Sequence, residues 1–158
     1  MESAGIIRRS SSPWASPLDI VKKPDGSWRP CGDYRCLNTR TVPDRYPLPN
    51  LADFSPRLHG SKVFMKLDLT KGYYQVPMCT GDIPKTAVIT PFGLSEWLRI
   101  LFGLRNSGFQ RLMDHIFQGL PYCFVFVDDV LISSPDLRSH LEDVRNVFDF
   151  LRLHGLKP

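Results

Sequence analysis

The chain has 158 residues, of which 42% are hydrophobic and 11% aromatic, and it carries 20 basic against 16 acidic residues for a net charge of +4. This composition is ordinary for one globular domain with a hydrophobic core, and the charge fits a polyanionic partner without demanding one. No apolar run approaches the roughly 20 residues of a membrane span, and no signal-peptide core is evident. These absences argue against membrane insertion or export and predict an intracellular protein, cytoplasmic or nuclear.

The first 60 residues are rich in proline, so short strands and loops are expected there. Residues 18–21 have the composition of a strand, Pro24-Asp25-Gly26 is a turn sequence, and residues 27–29 lead back from it. The pattern predicts a hairpin with basic side chains near its tip, namely Lys22, Lys23 and Arg29.

Strand signals continue beyond residue 60. Residues 63–69 have strand composition, which places Asp68 near a strand end. The apolar runs 86–90 and 96–101 are separated by Pro91-Phe92-Gly93, which is a turn signal. A second antiparallel hairpin is predicted at that point.

Two helices are predicted in the second half of the chain. Apolar residues at 109, 112, 113, 116, 117 and 120 fall on one helical face, which predicts an amphipathic helix near 107–120. Ser134 is expected to cap a helix near 135–154 that has Pro135 at its first position and apolar side chains at 137, 141, 144, 148 and 151. Gly155 supplies a stop signal for that helix.

Between these helices, the apolar runs 123–127 and 130–132 flank only Asp128 and Asp129. A tight hairpin turn that carries both acids is therefore predicted. Two carboxylates about 4 Å apart repel by roughly 4 kcal/mol at an effective dielectric of 20. A divalent cation would compensate them, and Asp68 would complete a two-metal site. The alternative is that the two acids form an ordinary solvated turn.

The four cysteines do not form a metal motif. Cys31, Cys36, Cys79 and Cys123 lack the two-residue spacing of a zinc site, and no pair of histidines completes one. In a reducing compartment disulfides rarely persist. All four are predicted to be free thiols with structural roles.

A resemblance covers almost the whole chain. Its successive blocks are SPWASPLDIVKKPDGSWRPCGDYRCLN, RYPLP, KLDLTKGYYQV, ITPFGLSEWLR, FGLRN and FVFVDDVLI. In this order they resemble the reverse transcriptases of gypsy-like LTR retrotransposons, which are similar to retroviral ones. The resemblance implies an α+β fold, with an antiparallel palm sheet backed by helices and an irregular fingers region. Residues 1–60 are expected to be fingers and 61–158 mainly palm, with a fingers segment near 80–100.

The resemblance also implies roles for individual residues. Asp68, Asp128 and Asp129 match the catalytic triad that binds Mg²⁺ or Mn²⁺, and Phe126 stands where the family usually has tyrosine. Four further residues match nucleotide-binding positions: Lys23 and Arg29 at the triphosphate, Tyr73 beneath the sugar, and Phe102 beside the nascent base pair. The alternatives are core packing for Tyr73 and solvated surface charge for the basic residues.

Two departures from the family pattern bear on activity. The proline that usually precedes Phe102 is replaced by Leu101, and the segment before Phe109 is two residues shorter than the family's. The chain also ends at Pro158, before the family's primer-gripping hairpin, so no thumb, connection or RNase H segment is expected within it. A shortened template-contacting segment without primer positioning predicts little or no activity of the isolated chain.

The expected function is that of an RNA-directed DNA polymerase fragment, which transfers a nucleotide from a dNTP to a primer 3′-hydroxyl on an RNA or DNA template. Its origin is expected to be a larger polyprotein. One alternative is a non-catalytic remnant of a retroelement that binds nucleic acid. Another is an interaction protein that binds no nucleic acid.

Overall fold

The structure, a computed structural model, describes residues 1–24, 26–105 and 108–158, without the side chain of Leu51. The elements in chain order are β1 (Ile7–Arg9), β2 (Leu18–Lys22), β3 (Trp28–Gly32), α1 (Arg35–Arg40), α2 (Leu51–Phe54), β4 (Val63–Asp68), α3 (Gly72–Gln75), β5 (Val88–Thr90), β6 (Gly93–Trp97), α4 (Gly108–Ile116), β7 (Cys123–Phe126), β8 (Asp129–Ser134) and α5 (Leu137–Leu153), with 3-10 turns at Pro56–Leu58 and Ile83–Thr86. The predicted α+β class is confirmed. Within the described ranges, no helix has the length and apolar character of a membrane span.

The chain forms two compact units. The first unit contains residues 1–43 and 73–105, and the second contains residues 44–72 and 106–158. Two features expected from the sequence involve residues that lie outside the described ranges. The centre of the first predicted turn is Asp25, and the two-residue gap before Phe109 falls at Asn106 and Ser107.

The first unit contains both hairpins predicted for it. Strands β2 and β3 pair antiparallel from Leu18 opposite Gly32 to Lys22 opposite Trp28. Strands β5 and β6 also pair antiparallel, but β6 covers residues 93–97 rather than the predicted 96–101. The strand begins earlier because Gly93, with φ of 111°, pairs directly with Thr90. Strand β1, which the sequence did not indicate, pairs with the other edge of β6.

The core of the first unit lies around Tyr34, Val88, Trp97 and Leu101, all buried. The Tyr34 hydroxyl donates a hydrogen bond of 2.8 Å to the carbonyl oxygen of Thr86. A Cβ placed on Gly32 would overlap the Tyr34 ring. Only glycine therefore fits at the end of β3.

The second unit is built on a three-stranded antiparallel sheet in the order β4-β8-β7. Val130 and Ile132 of the central strand are fully buried, and so are apolar residues of the two helices: Phe109, Met113, Ile116, Val147 and Leu151. Helix α5 contacts β8 and helix α4 contacts β7. The predicted antiparallel sheet backed by two helices is confirmed.

The first of these helices is shorter than expected. Helix α4 ends at Ile116, before the predicted boundary near 120. Residues 117–120 continue as turns, and Gly119 adopts φ of 92°. A left-handed residue of this kind ends a helix, and Gly119 was not recognised as such a signal.

The second helix differs from the prediction in its cap and in its buried face. Asp136, not Ser134, is the N-cap, and its carboxylate accepts the backbone N–H of Ser139 at 2.9 Å. Ser134 remains the last residue of β8. Most of the predicted apolar face is exposed, including Leu137, Leu141 and Phe148. Leu151 of the predicted face is buried, together with His140 and Val147, which were not predicted. Ser134 Oγ hydrogen-bonds His140 Nδ1 at 2.9 Å, which gives the buried ring a polar partner.

Candidate active site

The sheet of the second unit brings together the three predicted catalytic aspartates. Asp68 ends β4 and Asp129 begins β8, and the two are direct cross-strand partners. Cross-strand partners project from the same face with Cβ atoms roughly 4.5–5.5 Å apart. Asp128 precedes Asp129 in the hairpin turn. The three carboxylates therefore originate from adjoining positions at one end of one sheet.

The hairpin turn itself differs by one residue from the prediction. Phe126 pairs with Asp129, so the two turn residues are Val127 and Asp128, and Asp129 belongs to the strand. The reason is that Val127 adopts φ of 58°, which supplies the positive φ that a two-residue hairpin turn requires. In a β-branched residue this conformation is strained, at a cost of about 1–3 kcal/mol.

Several contacts hold this strained turn. The backbone N–H of Leu69 donates to the carbonyl oxygen of Asp128 at 3.2 Å, and the N–H of Val127 donates to Gln110 Oε1 at 2.6 Å. Gly72 leaves room for the turn, because a Cβ at that position would lie 3.3 Å from the Asp128 Cβ. Two hydrogen bonds therefore fix the backbone that carries the acids, and Gly72 leaves the space that the turn needs.

A lysine neutralises part of the acidic cluster. Lys66 Nζ lies 2.9 Å from a carboxylate oxygen of Asp129. The hydrogen bond to Asp129, together with the charges of Asp129, Asp68 and Asp128, raises the pKa of Lys66. In the absence of a cation, this side chain therefore compensates the repulsion among the acids.

The residues present fit a divalent cation by donor chemistry. Three carboxylates supply the hard oxygen ligands that Mg²⁺ and Mn²⁺ prefer, and they start from adjoining backbone positions. As they stand, however, the described side chains include no group of three or more His, Cys, Asp or Glu residues arranged to hold a metal ion.

Three of the four predicted nucleotide-binding residues form a cluster in the first unit, here called the Arg29 cluster: Arg29, Tyr73 and Phe102. The Arg29 guanidinium lies 5.2 Å from the centre of the Phe102 ring, and the Phe102 and Tyr73 ring centres are 4.2 Å apart. Arg29 Nε is buried and has no hydrogen-bond partner among the residues that the structure describes. A buried N–H without an acceptor costs free energy, so this group is suited to an anionic ligand.

Lys23 lies outside that cluster. It is exposed and sits at the tip of the β2–β3 hairpin, where its backbone N–H donates to the carbonyl oxygen of Ser27 at 2.8 Å. Lys22 lies 5.9 Å from the ring centre of its cross-strand partner Trp28, so these two share one face. Lys23 follows the last residue of β2, next to the turn.

Comparison with known proteins assigns the chain to a family. The profile of the family described as reverse transcriptase (RNA-dependent DNA polymerase) matches residues 21–157. The chain belongs to this family. Among its relatives, the Pol polyprotein from transposon 297 of Drosophila melanogaster is 43% identical over 99% of the chain. The Pol polyprotein from transposon gypsy of the same organism is 37% identical over 93% of the chain. The predicted resemblance to retrotransposon reverse transcriptases is confirmed.

The reverse transcriptase fold is also found in solved structures. The foamy viral protease-reverse transcriptase in complex with double-stranded DNA superposes with a TM-score of 0.92 over 99% of this chain, at 25% identity. This chain spans 28% of the length of that protein. It spans 16% and 15% of the two transposon polyproteins.

Three residues around the acidic cluster were not singled out from the sequence: Lys66, Gly72 and Gln110. A signal existed for Lys66, since residues two apart in a strand share a face and Asp68 is two residues away. Gln110 interrupts the apolar face of α4, where it is buried, and a polar residue in such a place needs partners. Gly72 carried no signal of its own, because its close approach to Asp128 arises only in the folded sheet.

Proposed function

We propose that this chain is the fingers and palm part of an RNA-directed DNA polymerase encoded by a retrotransposon. In the reaction, the primer 3′-oxygen attacks the α-phosphorus of a dNTP, the bond to pyrophosphate breaks, and the hydroxyl proton is released. The observation that carries this proposal is the cross-strand pairing of Asp68 with Asp129 beside Asp128, in a chain of the reverse transcriptase family.

Asp68, Asp128 and Asp129 are the residues that would hold Mg²⁺ or Mn²⁺. When bound at such a site, divalent ions lower the pKa of the attacking hydroxyl and stabilise charge on the leaving oxygen. The task of the protein is to present the carboxylates on a rigid support. The register of β4 with β8, and the bonds that fix the Val127 turn, are suited to that task.

The Arg29 cluster is proposed to bind the dNTP. The buried Nε of Arg29 would donate to a phosphate oxygen, and a guanidinium is well suited to such contacts. The paired rings of Tyr73 and Phe102 would contact the sugar and the base, so that Tyr73 tests for a 2′-hydroxyl. Lys23, at the tip of the same hairpin, would add charge for the triphosphate.

The two units correspond in this proposal to fingers and palm. The first unit, with the basic hairpin and the Arg29 cluster, would be the fingers, and the second unit, with the acidic sheet, would be the palm. The partners are a primer annealed to an RNA or DNA template and a dNTP. The relatives are much longer polyproteins, so the chain is proposed to originate from a polyprotein as well.

Single-nucleotide extension of a labelled primer tests the proposal. We expect weak extension by the full chain with Mn²⁺ or Mg²⁺, none with EDTA, and none for Asp128→Asn. Asp149→Asn, which changes an exposed acid on α5, is the matched control and should behave as the wild type. If extension is undetectable, the proposal still requires Mn²⁺ to tighten dNTP binding in the wild type but not in Asp128→Asn.

The alternative of a non-catalytic nucleic-acid-binding remnant predicts a different result. Its binding of primer-template would weaken with salt but would not respond to Mn²⁺ or to loss of all three aspartates. Such a result, together with metal-independent dNTP binding, would refute the polymerase proposal. An absence of any gel shift at low salt would favour the third reading, a protein that binds no nucleic acid.

A further inference from the structure

A buried glutamine lies directly behind the acidic hairpin. Gln110 is on α4 and is 2% exposed. Its Oε1 accepts the backbone N–H of Val127 at 2.6 Å, and its Nε2 donates to the carbonyl oxygen of Val125 at 3.2 Å. One amide group therefore holds the backbone on both sides of Phe126. Val127 is the residue with the strained positive φ.

A second acid fixes the orientation of that amide. Gln110 Nε2 also donates to Asp114 Oδ1 at 2.8 Å, one helical turn along α4. The other Asp114 oxygen accepts the hydroxyl of Tyr46 at 2.6 Å. Because a carboxylate can only accept, it selects the amide orientation in which Nε2 faces Asp114 and Oε1 faces Val127. The reversed orientation would set two donors against each other at Val127.

The Tyr46 end of this hydrogen-bond network is also held in place. The Arg111 guanidinium lies 5.0 Å from the centre of the Tyr46 ring and pairs with Asp44 at 2.8 Å. The connected groups run from the segment at 44–46, through α4, to the turn that carries Asp128. All of them belong to the second unit.

We infer that Gln110 is a positioning residue for the metal-binding hairpin, and that Tyr46 and Asp114 set the orientation of its amide. The inference rests on the proposed function, since it assigns the hairpin the task of holding a divalent cation. Gln110 touches no reacting atom in this role. It keeps the Val127 backbone in the one conformation that leaves Asp128 in the turn and Asp129 in the strand opposite Asp68.

Three variants distinguish a positioning role of Gln110 from a simple packing role. Gln110→Met keeps the volume but removes all three hydrogen bonds, whereas Gln110→Glu keeps an acceptor for the Val127 N–H. Gln118→Met changes an exposed glutamine of the same unit and is the matched control. Two quantities are measured in folded protein, as judged by circular dichroism. They are the Mn²⁺ dissociation constant from electron paramagnetic resonance and the hydrogen-exchange rate of the Val127 amide from NMR.

Outer residues that orient metal ligands typically change metal affinity 10- to 100-fold when mutated. We therefore expect Gln110→Met to weaken Mn²⁺ binding by about 10-fold or more and to accelerate exchange at Val127. Gln110→Glu should keep the amide protected, and Gln118→Met should match the wild type. Unchanged Mn²⁺ affinity and unchanged exchange in Gln110→Met would overturn the inference.

Failure of the proposed function gives a different pattern. If the wild type and Asp128→Asn bind Mn²⁺ equally, the metal assignment fails, and the inferred role of Gln110 at a metal site fails with it. If Asp128→Asn alone weakens binding, only the inference on Gln110 fails. Should Gln110→Met not fold, Tyr46→Phe tests the same hydrogen-bond network at the Tyr46–Asp114 bond. It should weaken Mn²⁺ binding severalfold, and an unchanged affinity would refute the inference.

Discussion

Lys66 Nζ lies 2.9 Å from the Asp129 carboxylate, so the acid that would bind a metal is already paired with a cation. Lys66→Met should therefore strengthen Mn²⁺ binding by about two- to fivefold, the range expected when an exposed ion pair no longer competes. This pair raises the pKa of Lys66 above its ordinary value of 10.5, so the ammonium group still competes at neutral and mildly alkaline pH and loses its charge only as the pH rises through the raised value.

The control for this prediction is Lys85→Met. Lys85 forms a comparable exposed pair with Asp82 in the first unit, at 2.6 Å, and its loss should leave Mn²⁺ affinity unchanged. Added salt should reduce the effect of Lys66→Met, since exposed charges are screened. Weaker Mn²⁺ binding in Lys66→Met would mean that this side chain supports the metal site rather than competing for it.

A side chain at Gly72 should crowd the residues packed around the acidic turn. A Cβ there would lie 3.2 Å from Leu69 Cβ, 3.2 Å from Phe109 Cζ and 3.3 Å from Asp128 Cβ. We expect Gly72→Ala to lower the free energy of unfolding by about 1 kcal/mol and to weaken Mn²⁺ binding, because Asp128 must move. At Gly81 an added Cβ meets nothing within 4 Å, so Gly81→Ala is the control. Equal denaturant midpoints for the two variants would contradict the packing described for Gly72.

The cap of α5 gives a prediction with a pH dependence. Asp136→Ala should lower the melting temperature by a few degrees, whereas Asp149→Ala, near the other end of the helix, should not. The N–H of Ser139 lowers the pKa of Asp136 below its ordinary value of 3.8. A lowered pKa means that the stabilisation is fully present above pH 3.8 and is lost as the pH falls through the lowered value. A difference in melting temperature that persists in strong acid would argue against this cap.

The free thiols should differ sharply in reactivity. All four cysteines are free; Cys36 and Cys79 are exposed and Cys123 is buried. Burial raises the pKa of Cys123 to about 12, and the thiolate is the reactive form. Mass spectrometry after iodoacetamide treatment at pH about 8 should find Cys36 and Cys79 alkylated and Cys123 protected until the protein unfolds. Rapid labelling of Cys123 would contradict its burial.

The same thiol makes the folded state sensitive to base. The unfolded thiol ionises near its ordinary pKa of 9.0, whereas the folded one keeps its proton to about 12. Between these values the folded state binds more protons than the unfolded state, so stability falls as pH rises. Cys123→Ala should reduce this slope relative to the wild type. An unchanged slope of unfolding free energy against pH would argue against the raised pKa.

The elements that were predicted correctly are those marked by short-range sequence patterns. The β2–β3 hairpin, the β5–β6 hairpin and strand β4 followed from alternation and turn residues, and the antiparallel sheet with its two helices followed from apolar periodicity together with the resemblance. The predictions were wrong where tertiary contacts determine which face of an element is buried or where the element begins and ends. The face of α5 is set by the buried bond between Ser134 and His140, and the extent of β6 by pairing of Gly93 with Thr90.

In the candidate site, too, the local features could be predicted from the sequence and the tertiary contacts could not. A strand end at Asp68 and a hairpin turn at Asp128 and Asp129 could be predicted from local sequence, whereas the choice of these acids as metal ligands came from the resemblance and stays a prediction. Their exact arrangement could not, because the positive φ of Val127 shifts the turn by one residue. The support from Gln110 joins residues 17 apart in sequence, and no local pattern reveals such a contact.

The central claim is that Asp68 shares one divalent cation site with Asp128 and Asp129, although 60 residues separate it from them. Titration of Mn²⁺ into the wild type, Asp68→Asn and Asp149→Asn, followed by electron paramagnetic resonance, tests it directly. The account predicts that Asp68→Asn binds Mn²⁺ at least about tenfold more weakly than the wild type, since an inner ligand is lost, while Asp149→Asn binds as the wild type does. Equal Mn²⁺ affinity in all three proteins would contradict it.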